Sequence, residues 1–229
     1  MTHGSLWRKR ELSILFMTQR PKPEVREAIL KAAAEAFAAG GFERAALGDI
    51  VERAGTSIGN LYKYFANKDE LFTEFIPRGF TTELATRLRA KVEAARSELN
   101  LFALDAGHPY RRASEDLLSF TIAHRDRVVF LLLRAQGTKH ERFASEVVRL
   151  LVKLAIEHAR TTYPTFTVTP ARKRALTRIY QAFVATLGTI LAEERAEHAV
   201  REAVALHGAY HLSGLKALFV SAWHEEASR

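Results

Sequence analysis

The chain has 229 residues, 48% of them apolar, and 34 Lys and Arg against 26 Asp and Glu give it a formal net charge of +8. That length lies between one large domain and two small ones, and the apolar share suffices for a sizeable core. The absence of cysteine excludes a disulfide framework, thiolate metal sites and a cysteine nucleophile, and it suits a reducing cytosol.

Residues 1–22 form a basic leader, expected to be disordered. Leu12–Met17 is apolar, but Glu11 interrupts its approach, and Gln19, Arg20 and Lys22 stand where a signal peptide needs small residues. No apolar run approaches the roughly 20 residues that cross a bilayer, so no membrane partner is expected. The confident pattern begins after Met17, which leaves Met1 and Met17 both open as the natural start.

From there the pattern is helical throughout, and the fold class is all-α. A first helix opens at Pro23, with Glu24 and Glu27 near its positive end. Val25, Ala28, Ile29, Ala32, Ala33, Ala36 and Phe37 form one stripe, Gly40-Gly41 ends the helix, and Phe42 folds back onto the stripe. A second helix spans about Leu47–Ala54. Gly55 turns the chain, and Thr56 or Ser57 caps a third helix through about Phe65. Asn67 caps a fourth, whose pattern continues through Leu84, Leu88 and Val92.

A loop near Ala106–Pro109 precedes helices at about 110–123, 124–136 and 140–162, closed by Tyr163-Pro164. Thr169-Pro170 is a cap followed by a first-turn proline, opening a helix to about residue 194. A last helix spans about 197–223 and carries His207 and His211 on one face with Val200, Val204 and Leu215.

The stretch LGDIVERAGTSIGNLYKYF, residues 47–65, carries the functional signal. Two short helices with apolar inner faces and a tight glycine turn make a helix-turn-helix, whose second helix lies in the DNA major groove. Leu61 and Phe65 point inward. Gly59, Asn60 and Lys63 point outward, flanked by Ile58 and Tyr62. Asn60 can pair bidentately with adenine and Ile58 can meet a thymine methyl. Tyr62, Lys63 and Tyr64 can reach phosphates or base edges, Ser57 sits at the helix start, and Lys68 adds a charge at the next helix. Net charge contributes little here: residues 1–76 carry 11 Lys and Arg against 10 Asp and Glu, the remainder 23 against 16.

AGTSIGNLYKYFANKDELF, preceded by the alanine-rich helix ending in Gly40-Gly41-Phe42, resembles the N-terminal domain of the tetracycline-repressor (TetR) family over residues 24–76. Gly55, Ser57, Gly59, Leu61, Tyr62, Phe65, Lys68 and Leu71 fall at the family's spacing. The sequence departs from the family at Ala46, where Thr or Ser often caps the second helix, and at Gly48, Thr56 and Tyr64.

The resemblance implies a helix-turn-helix DNA-binding domain over 23–76 and a helical effector-binding and dimerisation domain over 77–229. It also implies homodimerisation through the helices at 170–194 and 197–223, a double-stranded DNA operator, a small-molecule effector and repression as the default. A cytoplasmic location follows.

Two other classes compete. A helical ligand carrier that has lost its operator is favoured by Ala46 and Gly48. An enzyme would use the His207/His211 pair, whose i, i+4 spacing can hold a metal, though packing explains it more simply. His124-Arg125-Asp126 matches a kinase tripeptide without the accompanying loops and reads as a helix start. Arg172-Lys173-Arg174 reads as a solvated basic face. Phe120, Phe130, Leu133 and Phe143 suit pocket walls or plain core equally. No catalytic residue, metal or cofactor is expected, and effector-binding residues are left unassigned.

Overall fold

The computed structural model describes residues 22–95, 98, 101, 103–163 and 165–220. The leader before Lys22, Pro164 and the end of the last expected helix beyond Val220 lie outside them. Every regular element among the described residues is helical, which agrees with the all-α expectation.

Helix α1 (Pro23–Arg44) starts on a first-turn proline and buries Ile29, Ala32, Ala33 and Phe37. Gly41 interrupts its helical backbone at φ 81°, where a Cβ would also lie 3.1 Å from the Arg134 carbonyl oxygen. Conformation and space both demand glycine there. Phe42 then turns back, its ring 5.9 Å from Phe37 and 5.0 Å from Phe72.

Helix α2 (Leu47–Arg53) buries Ile50 and Val51, and its N-cap, Ala46, makes no side-chain cap bond. Helix α3 (Ile58–Leu61) is shorter than the pattern to Phe65 suggests. Beyond Leu61 the chain tightens: Lys63 and Tyr64 N–H donate to the carbonyls of Asn60 and Leu61, at 3.0 and 2.9 Å. Such three-residue bonds satisfy end carbonyls at poorer geometry. The turn leaves Phe65 buried and brings the Tyr64 hydroxyl to the start of α1, where it accepts the Lys22 N–H at 2.7 Å. Helix α4 (Lys68–Phe75) is capped by Asn67, whose side chain accepts the Glu70 N–H at 2.8 Å, while Glu70 accepts the Ala66 N–H.

The expected continuation of this helix through Val92 does not occur. Pro77 has no N–H to donate and Gly79 adopts φ 89°, so α4 stops and a separate helix α5 (Phe80–Glu93) begins in a new direction. Helix α6 (Pro109–Ala123) packs against α5 and is capped by His108, whose Nδ1 accepts the Tyr110 N–H at 3.2 Å.

The helix expected at 124–136 is two pieces, α7 (Arg125–Val129) and a π-helical turn over Phe130–Arg134. Its widened turn sets Phe130 and Leu131 into the core. Helices α8 (Phe143–Thr162), α9 (Pro170–Glu193) and α10 (Glu197–Val220) complete the body, with Thr169 capping α9 through the Arg172 N–H at 3.1 Å.

Core packing does not divide at residue 76. The rings of Phe72 and Phe75 lie 5.3 and 5.5 Å from Phe130. Arg127 Nε donates to the Phe75 carbonyl at 2.7 Å and Arg134 Nε to that of Ala39 at 3.2 Å. The N-terminal head is therefore seated on α7 and the π-turn by both apolar and polar contacts.

Candidate nucleic-acid interface and effector cavity

Helices α2 and α3 form the helix-turn-helix, joined at Gly55 with φ 65°. Ser57 is the N-cap of α3, its hydroxyl accepting the Asn60 N–H at 3.2 Å. Leu61 and Phe65 are buried beneath, as their spacing requires. Ser57, Ile58, Gly59, Tyr62 and Lys63 are exposed together on the outer side. Ile58 and Tyr62 keep 43% and 53% of their surface in solvent, although every other large apolar side chain described in the head is at least partly covered.

Three of the expected contact residues are engaged inside the subunit. Asn60 is half-buried and its amide Nδ2 donates to Thr56 Oγ1 at 2.8 Å. Tyr64 is half-buried through its bond to Lys22. The Lys68 ammonium donates to the Glu43 carbonyl at 3.3 Å and lies 4.6 Å over the Phe42 ring. One of its three N–H donors is used there, and two remain for a phosphate. Over residues 23–76 six Lys and Arg face nine Asp and Glu, so attraction for DNA must be local rather than a property of the head's net charge.

The body holds a cavity of about 260 Å³ between α5, α6, α8, α9 and α10. Leu88, Leu117, Leu151, Phe183, Leu187 and Leu215 give it a mostly apolar wall. Its polar side chains include Lys91, Ser114, Tyr110, Tyr180, His158 and His211, with Glu98, Thr121, Tyr163 and Lys216 also on the wall. Burial lowers the Lys91 pKa and raises those of Tyr110 and Tyr180. Burial, with help from His207 and Lys91, pushes His211 down to about 4, so its imidazole is neutral.

Sequence reasoning missed this cavity. None of Phe120, Phe130, Leu133 and Phe143 lines it. Phe120 stacks on Phe80, Phe130 and Phe143 belong to the core under the head, and Leu133 abuts Gly188 on α9. One signal was available: along α5 and the turn after it, Lys91 interrupts the apolar stripe Leu84, Leu88, Ala95, and a cation on an inward stripe faces a cavity or a partner.

His207 and His211 both stack on Phe183, with ring centroids 4.8 and 3.9 Å away. Among the described residues no third carboxylate or imidazole joins them in a metal-sized cluster. Both imidazoles pack on that ring, and His207 Nε2 lies 3.3 Å from the Phe183 carbonyl oxygen.

Among the described residues the other exposed large apolar side chains lie on the last two helices: Ile179 on α9, and Leu206, Tyr210 and Val220 on α10, with Leu206 66% and Tyr210 81% exposed. By length and composition α9 could cross a membrane, and only 28% of its most apolar window is buried in the subunit.

Residues 29–75 match the family described as "Bacterial regulatory proteins, tetR family". The chain is 32% identical over 103 residues to the uncharacterized HTH-type transcriptional regulator YdgC of Bacillus subtilis (strain 168), covering 45% of this chain and 50% of that protein. It is 36% identical over 87 residues to the HTH-type transcriptional activator FasR of Mycolicibacterium smegmatis, covering 32% of this chain and 40% of that protein. The matches thus span half or less of these curated relatives. Among solved structures, a TetR-like transcriptional regulator from Rhodococcus sp. RHA1 is 21% identical with a TM-score of 0.42, covering 91% of this chain and 99% of that one. The fatty acid degradation regulator FadR from Bacillus halodurans is 16% identical, also at a TM-score of 0.42, covering 89% and 97%.

Proposed function

Because residues 29–75 match the tetR family of bacterial regulatory proteins, we propose that the protein is a ligand-responsive transcriptional repressor rather than an enzyme. It grips a near-palindromic DNA operator as a homodimer and lets go when a small molecule fills the body cavity. The observation that carries this reading is the outer side of α3. There Ile58 and Tyr62 stay exposed beside Gly59 and Lys63, on a short helix whose cap and inner face hold it rigid.

In this reading Ile58 meets a thymine methyl, Gly59 lets the backbone come close, and Asn60 reads an adenine after exchanging its Thr56 bond for the base. Tyr62 and Lys63 bind phosphate, and Ser57, Tyr64 and Lys68 flank the groove. The second copy comes from the apolar stripe on α9 and α10. A cytosolic dimer accounts for α9 better than a bilayer does, since Arg172, Lys173, Arg174 and Arg178 occupy its first half, and α10, packed against it, also exposes Leu206 and Tyr210. Two-fold symmetry sets the half-sites about one helical turn, or a multiple, apart.

The cavity is mechanically placed to act on the head. Leu187 and Leu191 of α9 line it, Gly188 between them packs on Leu133 of the π-turn, and Arg125 Nε donates to the Leu191 carbonyl. A ligand that shifts α9 therefore shifts the element on which α1 and α4 rest.

Selection of bound DNA from a random pool, with and without candidate ligands, tests the whole reading. A palindromic consensus that disappears on adding a compound is the expected result. Weak association lost at moderate salt, with no consensus, would instead identify a ligand carrier, a reading that the uncapped Ala46 and the acidic balance of the head favour.

A further inference from the structure

Taking the cavity as the effector site, we infer that its ligand is a compact organic anion, a carboxylate with an apolar body, whose head is received by Lys91 and His211. His211 is only 8% exposed and lines the cavity, and its Nε2, itself buried, has no hydrogen-bond partner among the described residues. A buried polar atom left unpaired is costly, and native proteins keep such an atom chiefly where something else satisfies it. Nδ1 and Nε2 of one imidazole allow a neutral ring to present either a donor or an acceptor. An anion beside it selects the donor.

Charge points the same way. Lys91 lies on the cavity wall with its ammonium 5.8 Å from the Tyr110 ring, and no described carboxylate pairs with it. The one acid on the wall, Glu98, is engaged by His108 Nε2 at 3.3 Å, and a second cation, Lys216, lies at the edge. The interior is thus a cationic pole in an apolar chamber. The Ser114 hydroxyl is also buried, next to the Tyr110 phenol, and can turn to a carboxylate oxygen. A charge-assisted bond to Lys91 and one to His211 would satisfy both oxygens of such a head. The leucines of α5, α6, α8 and α9 would receive the body. About 260 Å³ holds roughly nine water-sized groups at ~30 Å³ each, which limits the body to a short chain or a single ring.

Calorimetric titration of the full chain, without DNA, with octanoate and with octan-1-ol as its neutral match tests this. Octanoate is expected to bind at least about tenfold tighter, a preference of roughly 1.4 kcal/mol. Lys91→Met should abolish that preference. An apolar isostere of a buried cation is well tolerated, so the variant should fold. His211→Gln, which keeps hydrogen bonding but cannot gain a proton, should retain part of the preference. Equal or tighter binding of the alcohol, unchanged octanoate binding in Lys91→Met, or no octanoate binding at millimolar concentration would each overturn the inference. Because no DNA is present, these failures leave operator binding intact. Loss of operator binding, in turn, leaves the calorimetry unaffected.

Discussion

The head and the body solve opposite problems with the same kind of helix. In the head, apolar side chains fill all the interior: Phe37, Phe65, Ile29, Ile50, Leu61 and Leu71 are fully buried, and the helix starts at Ser57 and Asn67 are capped. Its unsatisfied surface is on the outside, at Ile58 and Tyr62. In the body the groups without partners among the described residues are inside: His211 Nε2 and Ser114 Oγ are buried in residues that line a chamber the helices fail to close. A packed interior rigidly presents a shape to something large. An open one with orphaned polar groups waits for something small. The two meet at the π-turn, where one phenylalanine from the body completes the ring cluster of the head.

The largest test of that division is Phe130→Ala. Removing a buried phenylalanine costs about 3–5 kcal/mol. Because Phe130 packs on both Phe72 and Phe75, head and body should lose stability together in one transition. Hydrogen exchange resolved by segment checks this. If α1–α4 keep full protection while α7–α9 open, the two regions are independent and the proposed coupling has no path.

Acid should find the body first. His211 is held neutral, with its pKa down at about 4 against an ordinary 6.5. The unfolded chain takes up a proton below about 6.5 that the folded chain refuses until about 4. The stability conferred is therefore complete above the upper value and is lost as pH falls between them. At about 1.4 kcal/mol per pKa unit the loss across the whole window is on the order of 3–4 kcal/mol. His124, His140 and His158 are shifted down as well, so the wild-type slope includes more than one histidine. Denaturant melts of His211→Phe at pH 7 and pH 4.5 isolate the share of His211: the variant should lose less on acidification than the wild type, and equal losses would mean the ring is not the group responsible.

On the outside of the head the effects are on binding, not folding. Asn60→Ala should weaken operator binding by about 1–3 kcal/mol and relax preference at one base pair. Lys63→Ala should weaken all sequences alike and lower the salt slope by about one unit. Thr56→Val sharpens the first result: it removes the internal partner of Asn60, and binding should hold or improve if the amide must turn to the base. Unchanged sequence preference in Asn60→Ala would remove that residue from base reading.

The smallest expected effect is a gain. Ala46→Ser supplies the missing N-cap of α2 and should stabilise the head by about 1 kcal/mol. A thermal melt showing no increase would mean that the first N–H groups of α2 already have partners in solution.

Local chemistry in the sequence determined the parts of this molecule that depend on near neighbours. The Gly40-Gly41 break, the Gly55 turn, the caps at Ser57, Asn67 and Thr169, and the buried pair Leu61 and Phe65 all follow from backbone preference and periodicity over a few residues. The end of α4 at Pro77 was equally local and was hidden only because the apolar pattern runs on through Leu84 and Leu88. Tertiary structure alone decided the rest. Periodicity tells which side of a helix is apolar, not whether that side meets protein, a cavity or a second subunit. Phe130 and Leu187 look alike in sequence, yet one fills the core and the other lines a chamber. Lys68 and Tyr64 read as free contact groups until the fold brought Glu43 and Lys22, residues 25 and 42 positions away, to meet them. Such meetings depend on where whole helices lie, which no short stretch of chain encodes.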